Sequence, residues 1–493
     1  RRLVNLTNLG RERLGLGQEA EGRAWRVVAA TPNWLVAGTT GDGDYTDPSP
    51  GARPEPVPDE QLGGKGEPWR FVFGNQDLGR IIESSKGKGV VVAVLDTCPS
   101  LEQVRTAATE RGNWLLKEVA EHVTVGGPPS VDPAYFEERL HAIVAGWQNA
   151  HPSNVADLAR FKMEDHGLFA AGIVRSIVPE AEIHLIRVLS DYGVGDLLAL
   201  VSALSRLPEH FLQDENGRPN GKRLVVNLSL SADLPPGVSL RARSKRADLL
   251  PSEEFLQFWF PETARARPGE ALASLLAEAR NQVVAEAVKE VHAGLQQVVD
   301  WLAAVPAGGA LPEDDRRRRE LLVAAAGNDR RPGGQVPAPR LPARYDDVLG
   351  VAAVNQKLTA TQYSNQGDEA DIGDGVAVFG GDAAPGPNPD DPNLIELHPP
   401  SGVVDAVVGI FSAETYPQVR PPQAVPEDRS NRTGWGYWAG TSFATPVISA
   451  IAAGVWAAQA GLTPRQVMDS VRGFASGPQQ LGCPVIEAKQ LPQ

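Results

Sequence analysis

The chain has 493 residues, with 61 Asp plus Glu against 47 Lys plus Arg and a formal net charge of −14. That balance excludes a general nucleic-acid binder, which needs a basic face for phosphates. Two cysteines, Cys98 and Cys483, exclude a disulfide-built scaffold and a four-cysteine zinc site.

Residues 1 to about 75 read as an N-terminal extension. Two strand-like runs, Trp25–Ala30 and Trp34–Ala37, flank a Thr-Pro-Asn turn. A tract rich in Gly, Asp and Pro, from Gly38 to Pro68, reads as a linker or surface loop. Asp42, Asp44 and Asp47 have a spacing compatible with a calcium loop, but turn chemistry accounts for them better. The chain begins Arg-Arg, and no apolar signal core follows, which leaves the compartment open.

The pattern changes at Gly87. Val90 to Leu95 is a continuous apolar run, as in a strand buried on both faces of a parallel sheet. Similar runs follow at Ile183–Leu189, Leu224–Leu230, Leu321–Ala326 and Val348–Val354. Between them, Leu197–Leu204 has helical spacing and Ala271–Ala304 reads as a long amphipathic helix or helical pair. Strands alternating with helices predict an α/β fold with a mostly parallel sheet. Three segments look inserted: a mainly helical one at 101–162, one at 232–270 with the basic cluster Arg241, Arg243, Lys245 and Arg246, and a Pro/Asp-rich one at 380–403. That cluster and Arg316–Arg319 read as solvated faces. The longest apolar stretch, Val447–Leu462, contains Ser449 and Gln459 and is short for a bilayer, so no membrane partner is expected.

Four motifs carry chemistry. Asp96 ends the first buried strand, where open α/β sheets assemble their sites. His166 opens the small-residue segment His166 to Gly172. Asn328 follows the buried run Leu322 to Ala326. Ser442 sits in Gly440-Thr441-Ser442-Phe443-Ala444-Thr445-Pro446, at the start of an apolar helix whose free N–H groups favour developing negative charge. A serine hydroxyl is a poor nucleophile until a base takes its proton, and imidazole is the base matched to neutral pH. A buried carboxylate orients such an imidazole, and amide donors hold an oxyanion. The remaining histidines form no helical pair with metal-ligand spacing.

These blocks resemble the subtilisin-like serine proteases, or subtilases, over roughly Phe71 to Ala475. The Gly-Thr-Ser-x-Ala-x-Pro block is the most specific part. Val178 to Ile183, Val226 to Leu230 and Tyr345 to Val354 resemble the family's segment after the histidine helix, its cleft strand and the strand after its pocket loop. The resemblance implies a three-layer α/β/α fold with a central, mostly parallel sheet, occupying 76–493 around the insertions. It implies a serine endopeptidase with Asp96 orienting His166, His166 as general base and acid, Ser442 as nucleophile and Asn328 as oxyanion donor. Leu228, Ser229 and Leu230 then offer backbone groups to an extended substrate, and Ala325 and Gly327 form another wall of the first-subsite pocket. Aligning Leu341-Pro342 with an aromatic-Pro pair of the family puts Arg340 near the pocket floor. There it would favour an acidic residue before the scissile bond. Alternatively, Arg340 pairs with Asp329 or points to solvent, and the pocket prefers apolar residues.

The expected partner is a protein or peptide substrate, and the chemistry needs no cofactor. Calcium is common in the family, but none of its ligand sets can be matched to this sequence. Several positions depart from the family pattern. Leu168-Phe169 replaces the usual Thr-His after His166-Gly167, Cys98 stands where glycine is usual, and Leu230-Ser231 replaces the glycine after the cleft serine. The rival readings are a catalytically silent scaffold or binding module on the same fold, and an esterase or peptide ligase using the same residues.

Overall fold

The computed structural model describes residues 35–38, 54–58, 61, 69–136, 163–231, 295, 299, 320–330, 336–367, 374–387, 395–397, 400–417 and 429–491. The chain divides into two units, 35–232 with 298–493 and 1–34 with 233–297, and the fold below is that of the first.

Three short strands, β1 (Leu35–Gly38), β2 (Glu55–Pro56) and β3 (Arg70–Phe73), precede the first helix, α1 (Gln76–Ser85). Asn75 starts α1 by accepting the N–H groups of Asp77 and Leu78, which helix geometry leaves without intrahelical partners. β4 (Val90–Asp96) is buried along its whole length. Burying each of its large aliphatic side chains contributes about 1.5–3 kcal/mol, which drives such a run between two helical layers. α2 (Leu101–Arg111) and α3 (Trp114–His122) follow, capped by Ser100 and Asn113, and lead into β5 (Val123–Val125).

After α4 (His166–Ile177) come β6 (Glu182–Arg187), β7 (Val194–Asp196), α5 (Leu197–Leu212), β8 (Arg223–Leu228) and β9 (Leu230–Ser231). The remaining strands are β10 (Glu320–Ala325), β11 (Val348–Val354), β12 (Val376–Phe379), β13 (Pro385–Pro387), β14 (Ile395–Leu397), β15 (Val407–Ile410) and β16 (Trp435–Trp438). The chain finishes with α6 (Thr441–Ala458), α7 (Pro464–Gly473), β17 (Gly477–Gln480), β18 (Cys483–Val485) and β19 (Ala488–Leu491).

Nine strands form the central sheet in the order β17–β18–β12–β11–β10–β8–β4–β6–β5. Every pairing in it is parallel except β17 with β18. Helices cover both faces, giving the three-layer α/β/α fold of subtilisin type. The chain leaves β4 toward β6 on one side and returns at β8 on the other, so the sheet reverses direction beside β4. Crevices at the carboxyl ends of strands open at such reversals. On one face Val90, Val92, Val94, Val225, Val323 and Val351 share a core with Val447, Ile448 and Ile451 of α6. α6 is apolar and long enough to cross a membrane by composition, but it is a core helix, with 89% of that stretch buried inside the protein.

The chain does not divide near residue 75. β1 pairs with β7 and β9, and β2 pairs with β16, so parts of the expected extension complete sheets of the main body. Within the 101–162 segment, β5 forms the edge of the central sheet beside β6. α5 runs eight residues past the expected Leu204, carrying Pro208 within it. In the 380–403 segment, β13 and β14 form an antiparallel pair. Trp25–Ala30, the three aspartates at 42, 44 and 47, the 232–270 segment with its basic cluster, and Arg316–Arg319 lie outside the described residues. Of Ala271–Ala304, Leu295 and Val299 are described, and both are helical and buried.

Candidate active site

Asp96 is the last residue of β4 and is fully buried. His166 is the first residue of α4, with 1% exposure. Its Nδ1 lies 2.8 Å from Asp96 Oδ1 and 2.9 Å from Oδ2. A carboxylate only accepts, so Nδ1 carries the proton in this pair, which leaves Nε2 as the acceptor of a neutral ring. Nε2 is buried and has no hydrogen-bond partner. The rings of Trp438 and Phe443 pack against the imidazole at 5.4 and 5.2 Å.

The small residue after the histidine is a steric requirement. A Cβ on Gly167 would stand 2.2 Å from the Thr97 carbonyl oxygen and 2.7 Å from Asp96 Cβ. Thr97 makes the junction firm. Its hydroxyl donates toward the carbonyls of Met163 and Glu164 and accepts the Gly167 N–H at 3.1 Å.

Ser442 is the second residue of α6, buried at the helix N-terminus. Its Oγ donates to the Ser229 carbonyl over a long 3.4 Å. Ser229 Oγ donates back to the Ser442 carbonyl at 2.7 Å and accepts from Asn227 Nδ2 at 3.1 Å. Asn227 Oδ1 accepts from Ser449 of α6 at 2.9 Å. This chain of buried polar groups pins α6 to the end of β8. Sequence reasoning singled out Ser229 but missed Asn227 and Ser449, whose only local signal is a polar residue inside an apolar run.

Asn328 lies just past β10. Its Oδ1 accepts from Thr441 N at 3.0 Å and Thr441 Oγ1 at 2.9 Å. Those two donors fix the amide orientation, so Nδ2 is the donor edge the side chain presents. Gly327, with φ 105°, lets the chain turn there, and a Cβ on it would meet Asn365 Nδ2 at 2.7 Å. Leu228, Ser229, Leu230, Ala325 and Gly327 are all buried. β8 and β10 run side by side, with Ala324 opposite Leu228, so these residues gather at neighbouring strand ends.

The Arg340 guanidinium is paired within the chain. It is buried and forks onto Asp329: Nε donates to Oδ2 at 2.6 Å and Nη2 to Oδ1. Nη1 reaches Ser231 Oγ at 3.2 Å. Asn365, which sequence reasoning missed, joins this cluster through Nδ2 to Asp329 Oδ2 at 2.9 Å. Of the two arrangements the sequence left open for Arg340, the structure shows the pairing with Asp329, a carboxylate eleven residues away that takes its forked face.

β1 lies between β7 and β9, antiparallel to both, with Val36 opposite Gly195, Ala37 opposite Ser231 and Gly38 opposite Leu230. β9 begins one residue after Ser229, so this intramolecular strand runs alongside the residues expected to receive substrate.

Cys98 is a buried free thiol, and Cys483 is buried as well. Burial pushes the Cys98 thiol up to about 12, so it stays protonated and weakly nucleophilic at neutral pH. Among the described residues, no group of three or more His, Cys, Asp or Glu could hold a metal ion.

Fold and site together define an α/β/α protein of subtilisin type, with an acid, an imidazole and a serine hydroxyl carried at the carboxyl edge of its sheet. The chain belongs to the subtilase family, whose sequence model matches residues 87–475, and is thus a relative of serine-type peptidases that act on proteins or peptides. Solved structures similar to it include one titled "Crystal Structure of a Lanthipeptide Protease", at 15% identity and TM-score 0.44, covering 84% of this chain and 90% of that one. Another is titled "Structure of Prenylagaramide maturation protease PagA", at 15% identity and TM-score 0.40, covering 82% and 89%. No curated protein matches the sequence.

Proposed function

We propose that the protein is a serine endopeptidase working through an acyl-enzyme. The observation that carries this reading is the buried Asp96–His166 pair with its unpartnered Nε2. Asp96 holds the imidazole in the tautomer whose Nε2 can take a proton. Ser442 Oγ loses its proton to that nitrogen and attacks the scissile carbonyl. The tetrahedral oxyanion is received by Asn328 Nδ2 and the Ser442 N–H. His166 then returns the proton to the leaving amine, and water repeats the cycle on the ester. No metal or cofactor enters these steps.

A fluorophosphonate probe tests the reading. It should label wild type on Ser442 and leave Ser442→Ala unlabelled, with the variant still folded. A folded, unblocked wild type that takes no label would favour the silent scaffold.

The N-terminal segment regulates access in this reading. Support comes from β1, which takes the place of an added strand between β7 and β9, the position an extended substrate would use. Deleting residues 1–70 should raise the labelling rate of Ser442 or lower soluble yield. No change in either would reject a regulatory part.

A further inference from the structure

We infer that Asp165 is a positioning residue: its carboxylate locks the start of the His166 helix to the Phe411–Ala413 turn, and thereby to the β15–β16 arm that runs on into Ser442. The inference rests on the serine-peptidase reading above.

Asp165 precedes His166 and occupies the N-cap position of α4, yet its side chain caps nothing in that helix. It is fully buried and turned toward a segment 247 residues away. Oδ2 accepts the N–H groups of Ser412 and Ala413, each at 2.7 Å, and Oδ1 accepts the Ser412 hydroxyl at 2.5 Å. The other side of the turn is also held. Arg111 of α2 donates to the carbonyls of Phe411, Ser412 and Ala413, and Asn431 Nδ2 donates to those of Phe411 and Ala413. Gln103 Nε2 donates to Ser412 Oγ at 3.1 Å, so that oxygen can spend its own proton on Asp165.

The turn directly follows β15, which pairs antiparallel with β16. β16 ends at Trp438, whose ring stands edge-on to both His166 and Phe169. Three residues later α6 begins, with Ser442 in its first turn. Asp165 therefore ties the element bearing the imidazole to the element leading into the hydroxyl, and a shift of about 1 Å between such groups is enough to slow catalysis about 10²-fold.

The clamp is sensitive to protonation. Three donors converge on two oxygens, an arrangement suited to the ionised carboxylate. Burial opposes ionisation and pushes Asp165 up to about 7, and the Ser412 and Ala413 donors pull the other way. The charged and titratable neighbours are Glu164 beside it, His166 after it with Asp96 behind, Arg111 across the turn, and the Tyr416 phenol, which burial keeps neutral. In acid Oδ1 must itself donate to Ser412 Oγ, so the serine proton loses its acceptor.

Asp165→Asn can reproduce the neutral acid, with Nδ2 facing Ser412 Oγ and the oxygen facing the two N–H groups, whereas Asp165→Ala leaves all three donors unmet. The test measures fluorophosphonate labelling of Ser442 from pH 5 to 9, with hydrogen exchange over 163–170 and 411–417 in the same samples. Asp165→Ala, if folded, should label at least about 10-fold more slowly at pH 8, with both segments exchanging faster together. Asp165→Asn should recover most of that rate and fall less steeply in acid than wild type.

Labelling of a folded Asp165→Ala at the wild-type rate would overturn the inference. So would exchange that loosens 411–417 alone. If Asp165→Ala does not fold, superposable pH profiles for wild type and Asp165→Asn would overturn it instead. A wild type that takes no label at any pH overturns the peptidase reading, while coupled loosening of the two segments would still report the clamp.

Discussion

His166 Nδ1 sits within 2.9 Å of both carboxylate oxygens of Asp96, although the two residues are 70 positions apart in the chain. Both are buried, so neither solvent nor a surface ion competes for the contact. The pair is made because β4 delivers a carboxylate at its end while Gly167 allows α4 to start against that same end.

Replacing Asp96 by Asn tests that relationship. An amide can donate to Nδ1 and so favours the tautomer with the proton on Nε2, where it blocks the base. We expect kcat to fall on the order of 10⁴-fold with the fold retained. Steady-state kinetics with circular dichroism checks this, and a loss of less than about tenfold would remove Asp96 from the proposed role.

Asn328→Ala removes the proposed oxyanion donor and also the acceptor of two Thr441 donors. The expected result is a fall in kcat of roughly 10²–10³-fold with KM little changed. A change confined to KM would mean that Asn328 binds substrate in its ground state.

Arg340→Ala would leave the Asp329 carboxylate without its forked partner in a site where both side chains are less than a tenth exposed. Breaking such a buried pair costs about 3–5 kcal/mol, read as a lower urea midpoint. Profiling peptide cleavage in the same variant should show no selective loss of cleavage after acidic residues. A selective loss would restore Arg340 as a specificity determinant.

Asp165 also makes stability depend on pH, in the direction opposite to its clamp. The cost of burying its charge outweighs the hydrogen bonds that the ionised form gains. Its pKa rises from 3.8 to about 7 on folding, mainly through burial, so the folded state holds a proton that the unfolded state releases. The associated stability is fully present below about pH 4 and is lost as pH rises through about 7. Urea unfolding across that window should show wild type losing more stability than Asp165→Asn. Parallel curves would contradict the expected shift.

The sequence alone determined the central buried strands β4, β6, β8, β10 and β11 and named Asp96, His166, Asn328 and Ser442 as candidates. Runs such as Val90–Leu95 can be satisfied only by burial on both faces, and Gly167 and the Gly440–Pro446 block have chemistry that few other settings require. What the tertiary structure decided are pairings between distant polar groups. Arg340 finds Asp329, Asp165 finds Ser412, Asn227 links Ser229 to Ser449, and β1 finds β7 and β9. A buried polar side chain must have a partner, but its identity in sequence does not say which of many donors or acceptors the fold will bring within about 3 Å. Hydrophobic periodicity is a local property of the chain, whereas hydrogen-bond satisfaction at a site is a property of the whole packing.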